Sequence, residues 1–142
     1  MTSAIMPTYA PADISFEYGE GVYLFSPEGK KYIDFGAGIA VSSLGHSHPH
    51  LIGSIQKQAG KVIHYSNLYK IPSQELLAQR LVDNSFASSV FFCNSGAEAM
   101  ECGIKIVRRY HDQNGNPNKN RIITCSEGFH GRTLATLSAA KN

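Results

Sequence analysis

An α/β fold is predicted for this 142-residue chain by three observations. The apolar run Ser89 to Cys93 stops at a small polar corner, Asn94-Ser95-Gly96-Ala97, where a helical pattern begins. A second apolar run, Ile122-Ile123-Thr124-Cys125, follows that helix after a polar loop, so strand, helix and strand succeed one another as in a βαβ-type unit. Upstream, two β-rich runs are joined by a proline- and glycine-containing turn.

Taken in order, the residues through Pro11 alternate small residues with proline and read as an extended arm. Val22 to Phe25 and Lys31 to Phe35 form a β-hairpin across Ser26-Pro27-Glu28-Gly29, with proline suited to the second turn position and glycine to a positive φ. Its alternation places one face against a larger body and leaves charge on the other. The small-residue passage Gly36 to Gly45 bends the backbone and can line a cavity. His46, His48 and His50 surround Pro49, which suits the first turn of a helix. Leu51, Ile52, Ile55, Ala59 and Val62 continue at helical spacing, so a loop and helix start is favoured over a metal site, and no metal ligand is assigned. His64 to Tyr69 is a polar-aromatic connection, and Leu76, Leu77, Leu81 and Val82 mark an amphipathic helix capped by Ser73 and ending near Asn84. Ala97 to Tyr110 is the helix leaving the corner, with Met100, Ile104 and Val107 on one face. Arg108, Arg109 and His111 in its last turn complement the helix dipole and form a solvated face.

Composition narrows the function classes. With 42% hydrophobic and 17% charged residues the chain is globular, and a net charge of +2 without a basic stripe gives no footprint for nucleic acid or a membrane surface. No apolar stretch reaches the length of a membrane span and no leader pattern is present, so a cytoplasmic location is expected. Cys93, Cys102 and Cys125 sit in apolar segments and read as buried, reduced thiols.

The chemistry collects at two loops. Ser95 and Glu98 form a capping box in which the hydroxyl accepts from the Glu98 N–H and the carboxylate reaches back to the Ser95 N–H. Gly96 and Ala97 carry so little side chain that an anion can reach their N–H groups at the positive end of the helix dipole. The corner is therefore either a plain helix cap or a phosphate seat. The second loop, Glu127-Gly128-Phe129-His130-Gly131-Arg132-Thr133, lies like the first beyond the carboxyl end of a strand, where ligands of open α/β sheets collect. Phe129 offers a ring face for stacking and Arg132 a fork for a carboxylate; the alternatives are a core plug and a surface charge. His130 reads as a loop histidine that positions its neighbours.

Asn-Ser-Gly-Ala-Glu-Ala at 94 to 99, Phe-His-Gly-Arg-Thr at 129 to 133, and Asp34-Phe35 through Gly45-His46-Ser47-His48-Pro49 together resemble the class III, pyridoxal-phosphate-dependent aminotransferases, from about Phe16 onward. Phe35 to Val41, Ser66 to Tyr69 and Arg108 to His111 are most similar to the acetylornithine branch of that family. Ornithine-type members tend to carry a tyrosine where Ile39 stands, and an aliphatic residue suits an acylated nitrogen.

The resemblance implies a fold of the type I transferase kind. Residues 1–50 would be an N-terminal arm, hairpin and small-residue loop, and residues 51–142 the beginning of a mostly parallel-sheet αβα large domain. It implies pyridoxal 5'-phosphate as cofactor, held at its phosphate by Gly96 and Ala97 and at its ring by Phe129, with Arg132 binding the substrate α-carboxylate. The implied reaction moves the terminal amine of N2-acetylornithine to 2-oxoglutarate, in arginine biosynthesis, in an enzyme that is a homodimer when full length. The family's Schiff-base lysine lies downstream of the matched region, so no catalytic residue is assigned within 1–142, and the chain reads as roughly the first third of an enzyme, inactive alone. Another ω-aminotransferase of ornithine or succinylornithine type, or a non-catalytic remnant binding a phosphate-bearing ligand, are the alternatives.

Overall fold

The computed structural model describes residues 4–140, and its contacts divide the chain into two compact units that meet between Tyr69 and Lys70. The first carries an antiparallel sheet of strands β1 (Tyr18–Glu20), β2 (Tyr23–Phe25) and β3 (Lys31–Ile33), in the order β1-β2-β3. The β2–β3 hairpin is the expected one. The Gly29 N–H donates to the Ser26 carbonyl (2.9 Å), the Ser26 N–H to the Lys30 carbonyl (3.0 Å), and Gly29 takes φ +78°. That is a three-residue loop with glycine at its left-handed position.

Strand β1 was not anticipated, because Tyr18-Gly19-Glu20 shows no apolar alternation. Its signal is cross-strand: Tyr18 pairs with Phe25, and their rings stack at 4.5 Å. The register also corrects the expected division of faces. Lys31 pairs with Phe25 and places its ammonium 3.5 Å from the Tyr23 ring centroid, so charge shares the aromatic face instead of opposing it. A lysine stem lies along apolar surface while its head finds an aromatic quadrupole.

The unit is pinned at Asp34. One carboxylate oxygen accepts from the N–H groups of Gly36 (3.0 Å) and Ala37 (2.9 Å), and the other meets His46 Nε2 at 2.7 Å. His46 also exchanges backbone hydrogen bonds with Gly21, and its ring lies where a Cβ on Gly19 would stand, 2.6 Å from Cγ. Between these anchors the small-residue passage forms a single turn, α1 (Ala37–Ala40), of inverted hand. Ala37, Gly38, Ile39 and Ala40 have φ of 44°, 61°, 58° and 63°, and right-handed residues flank them on both sides. A left-handed turn costs roughly 1–2 kcal/mol per non-glycine residue. Here it is closed by the Ile39 and Ala40 N–H groups on the Gly36 carbonyl and by Ser42 N–H on that of Ala37. Pro49 opens α2 (Pro49–Ala59) as expected, and Gly60 closes it.

The second unit contains α3 (Pro72–Asp83), α4 (Gly96–Gln113) and α5 (Leu134–Ser138). Ser73 is not the cap of α3: the helix begins at Pro72, whose fixed φ is preorganised for the first helical position, and Ser73 lies inside it. Helix α4 runs a turn further than expected, so Arg108 and Arg109 precede its last turn. Arg109 pairs with Asp112 at 2.9 Å, and Arg108 Nε donates to the Asn120 carbonyl, tying down the loop between them.

The two runs expected as strands, 89–93 and 122–125, belong to no ladder. A strand is made by its neighbour, and these runs do not pair with each other. Apolar residues of both runs stay in solvent: Phe91 is 65% and Ile123 99% exposed. Among the described residues no hydrophobic side chain is fully buried: Leu76 and Leu77 are exposed, and Met100 and Ile104 are only half-buried. Cys93 and Cys125 are exposed and Cys102 half-buried, which corrects the expectation of buried thiols for the same reason.

The Asp34 cluster gives a pH signature. The His46 hydrogen bond, then the Ala37 N–H, hold the Asp34 carboxyl below its ordinary 3.8. Its contribution to loop stability is complete above 3.8 and is lost as pH falls through the lower folded value. The backbone amide resonances of Gly36 and Ala37 should titrate with a midpoint below 3.8, and the step should vanish in Asp34→Asn. A midpoint at or above 3.8 would remove Asp34 as the pin.

Candidate functional site

The site is built on the start of α4. Ser95 is the N-cap in extended geometry, and its hydroxyl accepts from the Glu98 N–H at 3.2 Å. The reciprocal half of the expected box is displaced: the Glu98 carboxylate accepts from the Asn94 N–H at 2.6 Å, one residue earlier than Ser95. Glu98 thereby fixes the corner as well as the helix end. The first N–H groups of the helix, on Gly96 and Ala97, have no acceptor among the described residues. A Cβ placed on Gly96 would meet nothing within 4 Å, so this approach to the helix terminus is open. An oxyanion fits there, since aligned N–H groups and the helix dipole both favour negative charge.

The Phe129–Thr133 loop packs directly on this corner. Gly131 has φ +132°, and a Cβ there would lie 2.6 Å from Ala97 Cβ and 2.9 Å from Thr136 Oγ1. Thr133 then caps α5 in a full capping box: its hydroxyl accepts from Thr136 N–H while its own N–H donates to Thr136 Oγ1. Thr136 is wholly buried, and the Thr133 hydroxyl also donates to Glu101 on α4 at 2.5 Å.

The four residues singled out in the sequence thus fall in one unit, on two touching segments. Phe129 is 73% exposed, with the Arg132 guanidinium 5.4 Å from its ring centroid. Both side chains remain accessible to a ligand carrying a ring and a carboxylate. His130 folds back toward Gly128, whose Cβ would stand 2.9 Å from His130 Nε2, and that nitrogen is buried without a partner. A separate cleft, lined by Met100, Ile104, Arg108, Ile122 and Ala135 among others, contains none of the four. Sequence reasoning missed Glu101 and Thr136. The threonine was signalled by its spacing of three from Thr133, and Glu101 by standing one helical turn beyond Ala97.

The Aminotransferase class-III family profile matches residues 5–142. The chain belongs to the class III aminotransferases. It is 58% identical over 135 residues to the acetylornithine aminotransferase of Agrobacterium fabrum, covering 95% of this chain and 34% of that protein. The crystal structure of N-acetylornithine aminotransferase from Stenotrophomonas maltophilia matches with a TM-score of 0.79 at 38% identity, over 92% of this chain and 35% of the other. The ornithine aminotransferase of Toxoplasma gondii, whose crystal structure shows partial occupancy of pyridoxal phosphate at its active site, matches with a TM-score of 0.90 at 26% identity, covering 98% and 33%. The chain therefore spans about a third of the length of the relatives it matches. These aminotransferases have the pyridoxal-phosphate-dependent type I fold, which places the chain in the α/β class despite the missing ladder. Among the described residues no helix is long and apolar enough to cross a membrane.

The Gly131–Ala97 contact gives a test of this geometry. Gly115 also has positive φ, +72°, but a Cβ there meets nothing within 4 Å. In a chain extended to its relatives' length, Gly131→Ala should raise amide hydrogen exchange across 128–133, whereas Gly115→Ala should leave that segment unchanged while straining only its own turn by about 1 kcal/mol. Equal protection of 128–133 in both variants would show that the loop does not depend on the close approach.

Proposed function

We propose that this chain forms the N-terminal portion of an acetylornithine aminotransferase, which moves the terminal amino group of N2-acetylornithine to 2-oxoglutarate. The observation that carries the site reading is the docking of the Arg132 loop on the helix start with unengaged N–H groups: Gly131 sits against Ala97. Pyridoxal phosphate, when bound, supplies the electron sink for transfer of the amine. The residues present fit such a group. Gly96 and Ala97 offer N–H donors to its phosphate, Phe129 offers a ring face to its pyridine, and Arg132 offers two parallel hydrogen bonds to the α-carboxylate of the amino acid.

Ile39 supports the acetylornithine reading over the ornithine one. It is 95% exposed and presents aliphatic surface where ornithine-type members tend to have tyrosine. The lysine that attaches the cofactor is supplied by sequence outside 1–142, so residues 51–142 are the beginning of the cofactor domain and residues 1–50 an N-terminal segment. The uncovered apolar faces are then completed by the remainder of a longer chain and by the second copy of a cytoplasmic homodimer.

Two substitutions in the extended enzyme test the two ends of the site. Gly96→Val should weaken cofactor binding in an absorbance titration, because a Cβ there meets nothing within 4 Å and the added bulk stands in the approach to the helix terminus. Unchanged affinity would move the phosphate elsewhere. Arg132→Ala should lower kcat/KM for N2-acetylornithine by roughly ten- to a hundredfold, the value of a charge-assisted hydrogen bond, with cofactor absorbance little altered. Arg132→Lys should recover part of the loss, since it keeps the charge but not the fork. An amine of similar length without the α-carboxylate should be turned over almost as before. Equal losses on both amines would take Arg132 out of the substrate site.

A further inference from the structure

Helix α4 and the Arg132 loop meet at two points spaced to match. Ala97 and Glu101 stand one turn apart on the same face of the helix, about 5–6 Å along it. Gly131 and Thr133 are two residues apart, a separation of similar length for non-helical chain. Gly131 rests on Ala97, and the Thr133 hydroxyl donates to Glu101 at 2.5 Å. Arg132 lies between these two anchors with its side chain exposed. The Thr133 hydroxyl is not free to move to another acceptor, because its oxygen also serves the Thr136 N–H and faces Thr136 Oγ1 at 2.9 Å. Glu101 therefore fixes the C-terminal side of the segment that carries Arg132, as Ala97 fixes the other.

We propose that Glu101 is a positioning residue for the carboxylate-binding arginine: through Thr133 it sets where Arg132 stands relative to the start of α4, and so the distance between the substrate carboxylate and the cofactor phosphate seat. The proposal rests on the reading of Arg132 as the carboxylate ligand. Glu101 touches neither substrate nor cofactor. It acts by geometry, and a misplacement of the order of 1 Å at a binding group is enough to cost a large factor in turnover.

The experiment is a double-mutant cycle in the enzyme extended to its relatives' length, with N2-acetylornithine and with the amine lacking the α-carboxylate. Glu101→Ala should raise KM for N2-acetylornithine by about three- to tenfold, leave the second amine and the cofactor absorbance unchanged, and speed hydrogen exchange across 129–133. Glu101→Gln, which keeps an acceptor for Thr133, should restore most of the loss, and Thr133→Ser, which keeps the hydroxyl, should stay close to the unsubstituted enzyme. In the Arg132→Ala background Glu101→Ala should add no further loss. Additive losses, an equal effect on both amines, no effect of Glu101→Ala, or loss of cofactor absorbance in Glu101→Ala each overturn the positioning role. If Arg132→Ala alone fails to discriminate the two amines, the substrate reading itself falls and the proposal with it. If Arg132→Ala discriminates and Glu101→Ala does not, the positioning role alone falls.

Discussion

Gly131 must carry no side chain, because Ala97 stands where its Cβ would be. The placement of the Arg132 loop and of α5 on α4 follows from that contact. It brings the loop bearing Phe129 and Arg132 onto the helix terminus where the Gly96 and Ala97 N–H groups have no acceptor among the described residues, and it sets the start of α5, whose Thr136 is wholly buried beneath the loop. Two residues with almost no side-chain volume thus join the proposed anion seat to the proposed carboxylate fork. Bulk at either position would separate them, since packed backbone and Cβ atoms cannot yield as a flexible side chain does.

Helices were legible in the sequence because their signals are local. Pro49 and Pro72 sit at first helical positions, Ser95 caps α4, and Asn84 closes α3 as the periodicity required. The Ser26–Gly29 turn was legible for the same reason. What failed was non-local. The runs at 89–93 and 122–125 have strand composition, but a ladder needs a partner with matching backbone groups, and neither run has one here. Strand β1 failed in the opposite direction: Gly19 and Glu20 look unlike a strand, and register with β2 makes one. The motifs singled out Gly96, Ala97, Phe129 and Arg132, and the structure places all four on two touching segments of one unit. The reach of Glu98 to Asn94 and of Thr133 to Glu101 could not, because each depends on where a loop settles against a helix.

The first unit shows how polar contacts order chain that has no buried apolar residue among those described to organise it. Asp34 gathers two loop N–H groups and an imidazole, and Ser47 donates to the Gly19 carbonyl, so hydrogen bonds close the loop where a core would otherwise press it shut. Such contacts define geometry well and stability poorly, since each exchanges with water at small net gain. The exposed Leu, Ile and Phe surfaces of both units are the complementary half of that picture: the apolar area from which stability is ordinarily drawn has yet to be removed from solvent.

The inverted turn at Ala37–Ala40 puts opposing demands on one position. Ile39 is β-branched and sits at φ 58° and ψ 55°, a conformation that glycine or asparagine enters far more easily. Its side chain is almost wholly exposed, so no packing within the unit compensates for the strain. Sequence drift or selection for thermal stability alone would favour glycine there, and every such replacement erases the aliphatic surface that the turn displays. Retention of isoleucine across variants of this chain would therefore report selection on what the side chain meets outside the unit, and its replacement would report that this demand had lapsed.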